Sequence, residues 1–209
     1  MTRIKICGLT RLEDVDAAVA AGADAIGLVF YPPSPRYVDL AQAAALARRV
    51  PPFVSVVGLF VNASPDEVRR TLAAVPLHVL QFHGDEDEVY CRQFDRPYMK
   101  AARVRPGMDL VQYAADFPSA QAILLDAFVD SFGGGGKVFD WSLIPPALGK
   151  PLVLSGGLDA GNVGEAIARV QPAAVDVSSG VEAAKGIKDA GKIRAFCAAV
   201  QSVGMLPID

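Results

Sequence analysis

Residues 3–30 read RIKICGLTRLEDVDAAVAAGADAIGLVF, and this stretch decides the architecture. It opens on an apolar run at Arg3–Cys7, breaks at Gly8, and crosses an Ala-rich span led by Thr10, Glu13 and Asp14. It then returns to an apolar run at Ala25–Phe30. Strand, capped helix and second strand in that order make a βα unit feeding its neighbour, the building block of a parallel sheet. The alternation continues along the chain, and further strands are predicted at Phe53–Val61, Leu77–Phe82, Tyr98–Arg103, Gln121–Asp126, Pro151–Leu154 and Ala173–Val177. Gly, Pro, Asp and Ser bound them, as strand ends require. Eight units in 209 residues leave about 26 residues each, enough for a strand, two short loops and a helix. The expectation is an α/β, single-domain (β/α)8 TIM barrel over residues 1–209. A doubly wound open sheet is the weaker reading, because eight consecutive units close naturally and no long connection marks a switch point.

Helix starts fall between the strands. Thr10 is read as the cap of the first helix, Asp39 precedes the strong helix formers LAQAAALARRV, and Ser64-Pro65-Asp66-Glu67 has the form of a capping box with Pro at the first helical position. The fifth helix, near Met108–Phe117, and the sixth, near Trp141–Leu148 with Pro145-Pro146 inside it, are expected to be short or irregular.

Composition narrows the function. The chain is 52% hydrophobic and 21% charged, a globular profile. Lys+Arg of 20 against Asp+Glu of 23 gives a net charge of −3, so no global positive field invites nucleic acid or an anionic membrane. Apolar runs such as Phe53–Val61, interrupted by Ser55 and Gly58, are far shorter than the ~20 residues of a membrane span. Charges are interleaved through the first residues, MTRIKICGLTRLEDVD, which resembles neither a secretory signal nor a transit peptide; a cytoplasmic location is expected. Cys7, Cys91 and Cys197 are an odd, widely spaced set without a CxxC pair, so free thiols are expected rather than a disulfide framework.

In a barrel of this kind the chemistry lies at the C-terminal ends of the strands. Cys7 ends the first strand before Gly8, a place suited to a nucleophile or a base; Lys5, two residues earlier, shares its face. Cys91 and Cys197 fall in helical stretches and read as small buried hydrophobes. Asp126 follows four apolar residues and is suited, partly desolvated, to donating a proton near neutral pH. Asp176, near the end of the eighth strand, is expected to pair structurally with Lys5 across the closure of the barrel. Arg36, between Pro35 and Tyr37, is either a bidentate carboxylate ligand or an ordinary loop arginine. His83 could be acid, base or donor; with His78 as the only other histidine no metal-ligand set is expected. The glycines Gly156 and Gly157 after the seventh strand, and Ser178 and Ser179 after the eighth, offer backbone amides where this fold usually holds a phosphate. Gly133, Gly134, Gly135 and Gly136 read as a loop able to close over a ligand. No Ser or Thr follows Lys137, so it is not a Walker A loop, and no GxGxxG opens a unit. No cofactor is expected. One acid, one base and a local phosphate site suit proton transfers on a phosphosugar.

The motifs KICGLT, AGADAIGLVFYPPSPRYV, LQFHG, LLDAF with GGGGKVFDW, LSGGL and DVSSGVE resemble, in order and over essentially the whole chain, those of the phosphoribosylanthranilate isomerases of tryptophan biosynthesis. Cys7 is the discriminating residue, since the related phosphosugar isomerases of histidine biosynthesis carry Asp at the end of strand one. The pattern departs at Gly135, where the family usually has Thr, and at Phe82, where Leu is commoner. The resemblance implies an Amadori rearrangement of N-(5-phosphoribosyl)anthranilate to the 1-deoxyribulose 5-phosphate product. Asp126 would be the general acid, Cys7 the general base, Arg36 the anthranilate-carboxylate ligand, and Gly156, Gly157, Ser178 and Ser179 the phosphate site. The base role leads us to expect a lowered Cys7 pKa, with Lys5 a candidate cause whose influence an ion pair with Asp176 would weaken. The competing readings are the histidine-pathway isomerase, the indole-forming lyase of the same pathway, and a phosphate-binding module without turnover. The partner expected is a small phosphosugar, with the chain a monomer or a homodimer.

Overall fold

Each apolar run becomes a strand in the structure, a computed structural model that describes residues 1–127 and 140–203. The strands are β1 (Arg3–Cys7), β2 (Ala25–Val29), β3 (Ser55–Phe60), β4 (Val79–Phe82), β5 (Tyr98–Val104), β6 (Ala122–Ala127), β7 (Leu152–Leu154) and β8 (Ala174–Val177). All pair in parallel with their sequence neighbours, and β8 returns to β1 to close the barrel. The closing register sets Lys5 opposite Asp176, and β1 against β2 sets Cys7 opposite Gly27.

The helices are α1 (Leu12–Ala20), α2 (Leu40–Arg49), α3 (Pro65–Ala74), α4 (Glu88–Cys91), α5 (Leu110–Ala115), α6 (Val163–Val170) and α7 (Ala190–Val203). Local chemistry explains their starts. The Asp39 carboxylate accepts from the Gln42 amide at 2.8 Å, and Ser64 with Glu67 forms the reciprocal capping box. Thr10 does not cap α1. Arg11 occupies that position without a side-chain capping bond, and the Thr10 hydroxyl donates instead to the Gly186 carbonyl at 2.6 Å. Between β6 and β7, among the described residues, only a 3₁₀ turn at Trp141–Leu143 forms, and Pro145-Pro146 permit nothing longer there. The helical stretch read around Cys91 is α4, a single turn. Unread was an antiparallel hairpin following β8, β9 (Glu182–Ala184) and β10 (Ile187–Lys188).

Two apolar volumes result. The larger lies between sheet and helices; a smaller one, Ala101, Leu124 and Val153 with Met99, Ala122 and Ala174 against them, plugs the barrel. Two residues further along each strand the period-two alternation presents Asp126 and Asp176 on the same inner face. The C-terminal mouth is therefore polar above an apolar floor. No helix among the described residues is long and apolar enough to cross a membrane.

Candidate active site

Cys7 ends β1 inside the barrel, buried, with its carbonyl accepting the Ser178 hydroxyl at 3.0 Å. Below it the Lys5 Nζ lies 2.8 Å from Asp176 Oδ1, both side chains buried. Burial works against the lysine charge, but Asp176 and then Cys7 outweigh it and the Lys5 pKa is raised. The thiol does not behave as the sequence reading expects. Burial pushes the Cys7 pKa up; Lys5 opposes this, Asp176 reinforces it, and the net direction is upward. Lys5 is the ally anticipated, and Asp176 opposes its field, as the pairing of the two implies. Gly27 leaves the room these groups occupy: a Cβ there would lie 2.7 Å from Cys7 Sγ and 3.1 Å from Lys5 Nζ.

Asp126 faces the mouth from β6. Its Oδ1 accepts the Ala127 amide at 2.9 Å, and its Oδ2 lies 3.3 Å from His83 Nε2. That contact is off the line of a hydrogen bond, so Nε2 is one of the buried polar atoms without a partner. On its other side His83 Nδ1 is 3.0 Å from Gln81 Nε2. The Gln81 amide thus ties Nδ1 and leaves Nε2 as the ring atom that faces Asp126. Gly156, at φ +86°, passes so close that a Cβ would meet the Ala127 amide at 2.5 Å and Asp126 Oδ1 at 2.9 Å.

The loops after β7 and β8 press together. A Cβ on Gly180 would lie 1.9 Å from the Leu158 carbonyl, so only glycine fits. Gly156 and Gly157 both take positive φ, and a 3₁₀ turn at Ser179–Val181 begins beside them. The four residues read as the phosphate site thus fall on two touching loops.

Arg36 is buried in the loop after β2, and its bidentate partner is the protein's own Glu182: Nε to Oε1 at 2.7 Å and Nη2 to Oε2 at 2.8 Å. It is the Nη1/Nη2 edge that remains for a ligand carboxylate. Lys188 completes the cluster, donating to Glu182 Oε1 at 2.9 Å and to the Ser178 carbonyl and hydroxyl at 3.0 and 3.2 Å. Burial lowers the Lys188 pKa against the pull of Glu182. Burial also works against the Glu182 carboxylate, but Arg36 and Lys188 hold its pKa below the usual range.

The structure thus brings together Lys5, Cys7, Arg36, His83, Asp126, Gly156, Gly157, Asp176, Ser178 and Ser179 at one mouth. The glycines Gly133, Gly134, Gly135 and Gly136 lie outside the described residues. Phe82 is not at the mouth: it packs against Phe60, Tyr90, Phe94 and Tyr98 on the helix side of β4, so its departure from Leu bears on packing rather than on pocket shape. Cys91 and Cys197 are buried, as read. Sequence reasoning missed Gln81, Gly27, Glu182 and Lys188. Gln81 was within reach, since it shares the His83 face at a spacing of two. Glu182 was not, because its partner is 146 positions away.

A family model described as N-(5'-phosphoribosyl)anthranilate (PRA) isomerase matches residues 4–199. A curated relative from Dechloromonas aromatica (strain RCB), named N-(5'-phosphoribosyl)anthranilate isomerase, is 70% identical over 96% of each chain. The solved phosphoribosyl anthranilate isomerase of Thermotoga maritima superposes with a TM-score of 0.90 at 43% identity, covering 97% of this chain and 100% of that one. Another solved phosphoribosyl anthranilate isomerase, in complex with reduced 1-(o-carboxyphenylamino)-1-deoxyribulose 5-phosphate, matches at TM-score 0.87 and 41% identity over 97% and 100% of the two chains.

Proposed function

Since the chain belongs to the N-(5'-phosphoribosyl)anthranilate isomerase family, we propose that Cys7 and Asp126 are the base and the acid of its reaction. That reaction is the Amadori rearrangement of N-(5-phosphoribosyl)anthranilate to 1-(2-carboxyphenylamino)-1-deoxyribulose 5-phosphate in tryptophan biosynthesis. The observation that carries the assignment is the placing of a buried thiol at the end of β1 and a carboxyl at the end of β6 on one polar mouth, beside the touching loops after β7 and β8.

The chemistry runs in three steps. Asp126 protonates the furanose ring oxygen, the C1–O bond breaks, and the nitrogen lone pair forms the Schiff-base cation. Cys7 removes the C2 proton, and the electrons of that bond neutralise the cation to the enolamine. Protonation at C1 and loss of the C2 hydroxyl proton give the ketone. His83, whose Nε2 lies 3.3 Å from Asp126 Oδ2, stands beside the carboxylate left after the first step. Burial favours the neutral Cys7 thiol, and the adjacent Lys5 ammonium favours the thiolate when the proton is on the move. The phosphate is held by the amides of Gly156, Gly157, Ser178 and Ser179, and the anthranilate carboxylate by the free edge of Arg36. The ligand is a small phosphosugar, and a cytoplasmic biosynthetic setting follows from the same reading.

Fluorescence of freshly generated phosphoribosylanthranilate tests it, comparing the wild type with Cys7→Ala and Asp126→Asn. The expected result is turnover in the wild type and losses on the order of 10² or more in each variant, with product-analogue binding kept. Variants as fast as the wild type would remove both residues from the mechanism.

A further inference from the structure

Arg36, Glu182 and Lys188 form a buried cluster of two cations and one carboxylate, and nothing in the acid–base chemistry requires the last two. The fork of Glu182 takes Arg36 by its Nε/Nη2 edge, which sets the plane of the guanidinium and spares its Nη1/Nη2 edge. Lys188 in turn donates once to Glu182 and twice to Ser178, to its carbonyl and its hydroxyl. Ser178 donates to the Cys7 carbonyl. One chain of hydrogen bonds therefore runs from the carboxylate arm through the hairpin to the strand end that bears the base. Counting charges, +2 against −1 leaves a single buried positive charge, the complement of one carboxylate.

We propose that Glu182, clamped by Lys188, is a positioning residue that presents the free edge of Arg36 to the anthranilate carboxylate. The proposal rests on the reading that Arg36 binds that carboxylate. An unrestrained arginine loses rotamer entropy when a ligand orders it; the Glu182 fork meets that cost during folding, so recognition of the carboxylate is preorganised. The hairpin is built for the task. Gly186 turns it at φ +79° so closely over the Arg36 loop that a Cβ would meet the Pro35 carbonyl at 2.6 Å, and Thr10 and Arg11 bond its backbone.

The test is carboxylate selectivity. Dissociation constants are measured for reduced 1-(o-carboxyphenylamino)-1-deoxyribulose 5-phosphate and for its counterpart with an unsubstituted phenyl ring. The variants are Arg36→Ala, Glu182→Gln and the double variant. Arg36→Ala is expected to abolish the preference for the carboxylated ligand. Glu182→Gln is expected to lower it on the order of tenfold, leave phenyl-ligand affinity unchanged, and raise KM more than it lowers kcat; the double variant should match Arg36→Ala alone. A folded Glu182→Gln protein that keeps its preference while Arg36→Ala loses it overturns the positioning role, and so does an equal loss for both ligands. If Arg36→Ala itself keeps the preference, the carboxylate reading fails and the proposal with it. Should Glu182→Gln not fold, Glu182→Asp retains the charge for Lys188 but is one methylene too short for the fork, and the same ratio decides.

Discussion

Replacing Gly27 by alanine adds one methyl group beside the proposed base. No strained backbone torsion is involved, so the whole effect is steric. The new Cβ would stand 2.7 Å from Cys7 Sγ and 3.1 Å from Lys5 Nζ, where ordinary contacts run about 3.5–4.0 Å. The sulfur has to retreat by roughly 1 Å. The strand cannot retreat in its place, because the Gly27 carbonyl accepts the Gly8 and Leu9 amides at 2.9 and 3.1 Å. Moving a reacting atom by that distance costs on the order of 10²-fold in rate. Overpacking of this size costs about 1–3 kcal/mol, which for a chain of 209 residues is a fall in Tm of roughly 2–12 °C. Steady-state fluorescence with phosphoribosylanthranilate gives kcat, and a thermal melt gives Tm. In a Cys7→Ala background the same methyl should cost nothing further in rate, since no sulfur remains to displace. A folded Gly27→Ala enzyme with kcat within about threefold of wild type would refute the placement of Cys7 Sγ at the reacting carbon.

Three further outcomes follow from buried charges and thiols. Alkylation of Cys7 by iodoacetamide, followed on its own peptide by mass spectrometry, should have a midpoint above the ordinary thiol value of 9.0; Lys5→Met should raise it further, because the cation that favours the thiolate is gone and Asp176 is left unanswered. Burial pushes the Cys197 thiol up to about 11. Between pH 9 and about 11 the unfolded chain releases this proton while the folded chain keeps it, so its stabilising contribution is complete below the unfolded pKa and is lost as pH rises through that window. Cys197→Ala should reduce the stability slope there by about 1.4 kcal/mol per pH unit, read from urea midpoints. Finally, Lys100 donates to the Gly84 carbonyl at 2.6 Å and to Glu86 at 2.8 Å, wholly buried. Lys100→Met should cost about 3–5 kcal/mol by stranding that carboxylate, and unchanged thermal stability would show that the pair contributes nothing.

Much of the fold was legible because its signals are local. Runs such as Arg3–Cys7 and Ala122–Ala127 announce strands through composition and punctuation, and Asp39 and Ser64 announce helices through caps that reach only three residues along the chain. Thr10 shows the limit: an isolated cap pattern lost to a tertiary acceptor at Gly186. The hairpin of β9 and β10 went unread for a related reason, since three- and two-residue strands are too short to carry a period.

Sequence alone thus determined the eight-unit barrel, the strand ends on which chemistry falls, and the identities of Cys7, Asp126 and Arg36 as the residues to examine. Only the tertiary structure decided how those groups behave. A thiol read as activated is pushed toward its neutral form by burial, an effect of solvent exclusion that no neighbour in the chain reports. An arginine read as open to substrate is already gripped along one edge by a carboxylate 146 positions away. Secondary structure follows from interactions within a few residues, whereas desolvation and charge pairing at the mouth depend on groups that only closure of the barrel brings within ångströms of one another.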